Sequence, residues 1–142
     1  MDEQKTILVL DDSKLLLRWT KDVLEKEGYS VLTAETVFAA RDLASKNPSL
    51  ILMDVQFAEP YQEGVAAVKS LKRSEDTAHI PIVLYSGLEE DLLVMFAESS
   101  GAEGYICKTE SEAALIQQVT FYMAETELTR NLEEDFLSAN AE

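Results

Sequence analysis

The sequence predicts an α/β domain built on a parallel five-stranded sheet, and three observations carry that prediction. Short apolar runs rich in Ile, Val and Leu recur along the chain; bounded by turn residues, such runs read as strands buried on both faces. Amphipathic stretches long enough for helices separate them, so each strand leads into a crossover and not a hairpin, and right-handed crossovers lay the strands parallel. At 142 residues, with 46% hydrophobic residues, five Gly and three Pro, the chain suits one folded domain with a proper core.

TILVL is the first strand. Ser13 is the N-cap of a helix carrying Leu16, Trp19, Val23 and Leu24 on one face and ending at Gly28. YSVLTA is the second strand, and the helix after it runs from about Thr36 to Lys46, stopping before Asn47 and Pro48. SLILM is the third strand; a longer polar loop leads from it to a helix over Gly64 to Arg73. Pro81 opens the fourth strand, PIVLY, and Leu88 to Ser99 form the next helix. GYIC is the fifth strand, with a last helix starting near Ser111. Five βα units of this length predict a flavodoxin-like, doubly wound sheet of strand order 2-1-3-4-5.

The last helix has no evident stop. No Gly or Pro follows Gly104, and Val119, Met123, Leu128, Leu132 and Phe136 keep a rough helical spacing through Glu133, Glu134 and Asp135. A helix from Ser111 to Ser138 is about 40 Å long at the usual rise per residue, more than such a domain covers. Its end is expected to fray, fold back or pack on a partner. The chain thus divides into a domain over residues 1–125 and an acidic helical extension over 126–142.

Composition narrows the function. With 12 Lys and Arg against 27 Asp and Glu, the net charge is −15, which repels nucleic acid and anionic membrane surfaces. The single Cys107 excludes an internal disulfide framework and fits a reducing compartment. MDEQK has neither the basic flank nor the apolar core of an export signal, and no apolar run approaches the length of a membrane span. A cytoplasmic domain that binds neither nucleic acid nor membrane is the expectation.

Four strands end in residues suited to phosphate or metal chemistry: Asp11 and Asp12 after the first, Asp54 after the third, Ser86 after the fourth and Lys108 after the fifth. In open parallel sheets the ligand crevice lies at the carboxyl ends of the strands, so these groups converge. An isolated Asp-Asp pair is ordinarily a cap and a solvated acid, but a third carboxylate at the next strand end changes the problem. Three carboxylates close together repel strongly, and a hard divalent cation is the ordinary remedy. Mg²⁺ fits, since it favours oxygen ligands and is usually bound by one or two carboxylates plus phosphate oxygens. Asp54 can both touch that metal and act as a nucleophile, because carboxylates form aspartyl-phosphates. An ammonium at Lys108 and a hydroxyl at Ser86 can hold the oxygens of a transferring phosphoryl group.

In these residues the chain resembles the receiver domain of two-component response regulators, over roughly residues 4 to 125 and in the manner of the chemotaxis regulators. That family has an acidic pair after the first strand, a phosphorylated Asp after the third, Thr or Ser after the fourth and Lys after the fifth; Tyr105 matches its aromatic switch position. The resemblance implies that Asp54 takes a phosphoryl group from a histidine kinase or phosphotransfer protein. It implies that Asp12 and Asp54 ligate Mg²⁺, with Asp11 acting through water and the Gln56 backbone carbonyl completing the site. Lys108 would pair with the phosphoryl oxygens, Ser86 would move to meet one, and Tyr105 would turn inward, altering the surface of the fourth helix, fifth strand and fifth helix. Such a protein is a signalling switch and not a turnover enzyme, limited to its own phosphoryl transfer and autodephosphorylation.

Two departures stand out. Thr109 follows Lys108 where the family commonly has a cis Pro, and a cis bond before a non-prolyl residue costs about 2.5–4 kcal/mol, which favours a trans bond and a different placement of Lys108. The segment QFAEPYQEG after Asp54 brings Gly64 about two residues later than the family's pattern. These departures motivate an alternative, a pseudo-receiver scaffold that binds partners without being phosphorylated. A haloacid dehalogenase-type phosphatase, the enzymatic alternative, needs an Asp-x-Asp pattern after the first strand, whereas Asp11 and Asp12 are contiguous. The leading expectation is a stand-alone receiver switching an unknown downstream protein target; Leu92, Leu93, Met95 and Phe96, with the extended last helix, offer a homodimer or target surface. His79 is expected to be a surface loop residue, Cys107 a core residue, and Trp19 and Phe38 packing residues.

Overall fold

The computed structural model describes residues 4–55 and 62–139. Its elements are β1 (Thr6–Leu10), α1 (Lys14–Lys26), β2 (Ser30–Ala34), α2 (Val37–Ala44), β3 (Leu50–Met53), α3 (Gln62–Arg73), β4 (Ile82–Ser86), α4 (Glu90–Ser100), β5 (Gly104–Cys107) and α5 (Glu112–Ala139). The strands pair in parallel in the order β2-β1-β3-β4-β5, as predicted.

Strand alternation builds two cores. Leu8 and Leu10 of β1, Ile51 and Met53 of β3, and Ile82 and Leu84 of β4 face one way, onto Ala40 and Ala44 of α2, Val68 and Leu71 of α3, and Leu93 and Ala97 of α4. The intervening residues Ile7, Val9, Leu50, Leu52, Val83 and Tyr85 face the other way, onto Leu17, Val23 and Leu24 of α1 and Leu115 and Val119 of α5. Apolar residues on both faces explain why β1, β3 and β4 read as continuous apolar runs. At about 1.5–3 kcal/mol for each large side chain fully buried, these three strands supply much of the stabilisation.

Helix ends follow their local chemistry. Ser13 Oγ accepts the Leu16 N–H at 3.2 Å, and Thr36 Oγ1 accepts the Ala39 N–H at 3.1 Å, so both act as N-caps. Gly28 and Gly101 end α1 and α4 with φ of +97° and +87°, the left-handed conformation that glycine adopts without a Cβ penalty. The α1 face differs from expectation: Leu17, Thr20, Val23 and Leu24 are its buried residues, and Leu16 stays 37% exposed. Trp19 does pack against the core, but Phe38 is 84% exposed, because α2 turns Ala40 and Ala44 inward instead. The helix α4 begins at Glu90 and not Leu88; Leu88 packs into the core from the loop. Leu93 is buried and Phe96 partly packed, while Leu92 and Met95 are 36% and 51% exposed.

Cys107 is exposed, contrary to the expected core position. It lies on the edge strand β5, where only Ile106 is buried, and burial there requires a covering helix. His79 is an exposed loop residue, bonded to Asn47. The helix α5 runs unbroken for 28 residues. Its first half docks through Leu115, Val119 and the partly buried Tyr122 and Met123; every side chain from Glu127 to Ser138 is exposed. The extension therefore does not fold back on the domain. No helix among the described residues is long and apolar enough to cross a membrane.

Candidate functional site

Register places the acids together. Leu10 of β1 sits opposite Met53 of β3, so the next residues, Asp11 and Asp54, leave adjacent strands at one level. The backbone continues the ladder there: the Asp54 N–H donates to the Leu10 carbonyl at 3.0 Å, and the Asp11 N–H to the Ala34 carbonyl at 3.1 Å. Ser86 pairs with Cys107 across β4 and β5, and the Lys108 N–H donates to the Ser86 carbonyl at 2.9 Å. The strand ends thus form one rim carrying Asp11, Asp54, Ser86 and Lys108.

Asp11 and Asp54 are 2% and 3% exposed, a costly position for carboxylates without partners. Lys108 compensates them: its Nζ lies 2.6 Å from Asp11 Oδ2 and 3.1 Å from Asp54 Oδ2, charge-assisted distances. It also sits 5.7 Å from the centre of the Tyr85 ring. Burial pushes the Lys108 pKa down, but the hydrogen bond to Asp11 and the charge of Asp54 together outweigh it, so the net shift is upward. Burial likewise raises the Tyr85 pKa, against a hydrogen bond to Thr20 that lowers it. Thr109 after Lys108 does not displace the ammonium from the acids. Instead, Thr109 Oγ1 accepts the Ser111 N–H at 3.0 Å, and Ser111 Oγ caps α5 by accepting the Ala114 N–H at 3.1 Å.

The acidic pair divides its work. Asp11 Oδ1 accepts the Ser13 N–H at 3.0 Å, an Asx-type turn, so both Asp11 oxygens are engaged. Asp12 is exposed. One carboxylate oxygen from each of Asp11, Asp12 and Asp54 lies within 4.8 Å of the others. One ammonium against three carboxylates leaves a net negative pocket of oxygen donors, the donor set that suits a hard divalent cation such as Mg²⁺. Gln56 and the rest of the loop after Val55, up to Tyr61, lie outside the described residues.

Ser86 is fully buried, and its Oγ accepts the Leu88 N–H at 3.3 Å, tying the hydroxyl to the β4–α4 loop. Tyr105 lies three residues before Lys108, its hydroxyl donating to Glu90 Oε1 at 2.7 Å. That bond, first among the causes, pushes the Tyr105 pKa up to about 12. The Tyr105 backbone is held from α5: its N–H donates to the Tyr122 hydroxyl at 3.1 Å, and that hydroxyl donates to the Tyr105 carbonyl at 3.0 Å. A Cβ at Gly104 would collide with the Tyr122 hydroxyl, so glycine is required for this clamp. Sequence reasoning reached the rim residues and Tyr105 but missed Glu90, Tyr122 and Tyr85. Their roles depend on distances across the fold, and no local motif announces them.

Comparison with known proteins places the chain in a family and matches its fold. The family model described as "Response regulator receiver domain" matches residues 7–120. The polar-differentiation response regulator DivK of Brucella ovis is 30% identical over 127 residues, covering 85% of this chain and 98% of its own. Among solved structures, a CheY-like response regulator receiver domain protein from Methanospirillum hungatei superposes with a TM-score of 0.75 at 25% identity, covering 89% of this chain and 99% of that one. The signal receiver domain of a histidine kinase from Syntrophus aciditrophicus gives 0.72 at 28% identity, covering 85% and 91%. With this fold, this rim and a family match over most of its length, the chain belongs to the response regulator receiver domain family.

Proposed function

We propose that the chain is a phosphorylation-dependent switch in which Asp54 accepts a phosphoryl group from a phosphorylated histidine of a kinase or phosphotransfer protein. An Asp54 oxygen forms the new O–P bond as the donor's N–P bond breaks, and the imidazole leaves with the electron pair. The observation that carries this reading is the pairing of buried Asp54 with Lys108 at 3.1 Å beside the acids Asp11 and Asp12.

Asp11, Asp12 and Asp54 would hold Mg²⁺, with the Gln56 carbonyl as a further ligand. When bound, the metal supplies the positive charge that lets a phosphoryl dianion approach three carboxylates. Lys108 holds a phosphoryl oxygen once Asp54 carries the acyl phosphate, because its ammonium already lies within reach of that carboxylate. Ser86 turns its hydroxyl from the Leu88 N–H toward the phosphoryl group, freeing the β4–α4 loop. Tyr105 leaves Glu90 and turns inward, which remakes the α4–β5–α5 surface read by a downstream protein target. A phosphoryl group adds about −1.5 to −2 charge and three acceptors, enough to bias such a loop. The protein works in the cytoplasm as a switch and turns over no substrate beyond its own phosphoryl group.

Intact-mass analysis after incubation with Mg²⁺ and acetyl phosphate tests the proposal. One phosphoryl adduct is expected on the wild type and none on Asp54→Asn. A folded wild type with no adduct would leave the pseudo-receiver scaffold in its place, and sustained hydrolysis of phosphate esters would indicate a phosphatase.

A further inference from the structure

We propose that the distal half of α5 is a docking surface for a basic, amphipathic helix of another protein, and not for a second copy of this chain. The reading concerns a surface remote from the Asp54 rim and does not depend on phosphorylation. Phe121 is 53% exposed, and Leu128 and Leu132 are each 60% exposed. At 3.6 residues per turn these three fall within about 40° of one another around the helix, a continuous apolar stripe. Beyond them a shallow recess of about 400 Å³ is lined by Thr129, Leu132, Glu133, Phe136 and Leu137. Over these last turns the only described ion pair to the domain is Lys5 with Glu127, at 4.0 Å. An isolated helical segment this short is marginal in water and draws its stability from packing an apolar face. A helix with leucines in its seam is therefore built to be covered.

Charge selects the occupant. Between Glu125 and Ser138 the helix carries Glu125, Glu127, Glu133, Glu134 and Asp135 against the single base Arg130. Around the helix, Glu125 borders the stripe on one side and Asp135 on the other, each about 40° from its centre, while Glu133, Glu127 and Glu134 lie farther round and Arg130 on the far side. A two-fold pairing of identical helices, parallel or antiparallel, sets acidic flank on acidic flank, between chains of net charge −15. No basic residue lies in the last described turn of α5, so no side chain there offsets the negative end of the helix dipole. A partner helix with leucines in its seam and lysines or arginines beside them covers the stripe, pairs with both acidic flanks and neutralises that helix end.

The test uses the full chain and a labelled synthetic peptide of about three heptads with Leu in the seam and Lys at the flanking positions. Controls are its twin with Glu for Lys, and an oligolysine of equal charge without leucines. Fluorescence anisotropy is expected to show binding of the basic helix with Kd of about a micromolar, weakened about tenfold or more in the double variant Leu128→Gln, Leu132→Gln. Oligolysine should bind at least about tenfold more weakly, the acidic twin should not bind, and sedimentation should show a monomer. Far-ultraviolet circular dichroism and phosphorylation by acetyl phosphate should be unchanged in the double variant, so that lost binding is not lost folding. Equal binding of oligolysine, equal binding by the double variant, or no binding of the basic helix overturns the proposal. Dimerisation that the leucine substitutions abolish overturns it in favour of a self-interface.

Discussion

Replacing Asp12 with Asn should raise the stability of the metal-free domain, although it removes a residue of the site. Lys108 already bonds both Asp11 and Asp54, so that buried trio carries one excess negative charge before Asp12 is added. The Asp12 carboxylate brings an oxygen within 4.8 Å of those of Asp11 and Asp54. One uncompensated like-charge pair at that distance costs about 3.5 kcal/mol at an effective dielectric of 20 and about 0.9 kcal/mol in water. Asp12 is exposed, so the lower end governs, and a gain of about 1 kcal/mol is expected for Asp12→Asn. For a domain of this size that is a rise of a few degrees in Tm, read by thermal and urea denaturation in EDTA. Saturating Mg²⁺ should reverse the order, since binding to the native state alone stabilises the wild type by about 2.7 kcal/mol at one hundred times Kd, and the variant by much less. A variant less stable than wild type in EDTA, or stabilised equally by Mg²⁺, would refute the account of the acidic pocket.

Three further substitutions probe the neighbouring groups. Lys108→Met strands two buried carboxylates and should cost about 3 kcal/mol without metal, the opposite sign to Asp12→Asn in the same urea experiment. Because the Lys108 pKa is raised above its ordinary 10.5, its contribution is fully present below that pH and is lost as pH climbs through the folded-state value, a decline that Lys108→Met should lack. Glu90→Gln should bring the Tyr105 titration down from about 12 toward the ordinary tyrosine value, read by phenolate absorbance. The sign is again that of a raised pKa: the Tyr105–Glu90 bond stabilises below about pH 10 and is lost as pH rises through about 12. Tyr122→Phe removes the hydroxyl that bridges both peptide groups of Tyr105 and should cost about 1 kcal/mol, with faster amide exchange at Tyr105 as its local signature.

How much of this was legible in the residues depends on which physics placed them. The rim was legible because each of its members ends an apolar run, and parallel strands in register carry Asp11, Asp54, Ser86 and Lys108 to one edge. Helix caps at Ser13 and Thr36 were local events, with Gly28 marking a local stop. Burial on single faces was less legible. Leu16 and Leu17 are both leucine, and which one turns inward is set by how α1 lies on the sheet, a tertiary fact. Cys107 follows a buried isoleucine in an apolar run, yet it is exposed at the end of β5, an edge strand. Thr109 looked like a disturbance of the lysine loop; its hydroxyl instead organises the start of α5. The contacts of Tyr105 with Glu90 and Tyr122 span 15 and 17 residues of sequence and follow no spacing rule.

The central claim, that Asp54 and neither neighbouring acid accepts the phosphoryl group, is tested most directly by trapping the acyl phosphate. Borohydride reduces an aspartyl-phosphate to homoserine, and peptide mass mapping locates the converted residue. After treatment with Mg²⁺ and acetyl phosphate the account predicts homoserine at position 54 and unchanged aspartate at positions 11 and 12. Homoserine at either of those positions, or none in the folded protein, would contradict it.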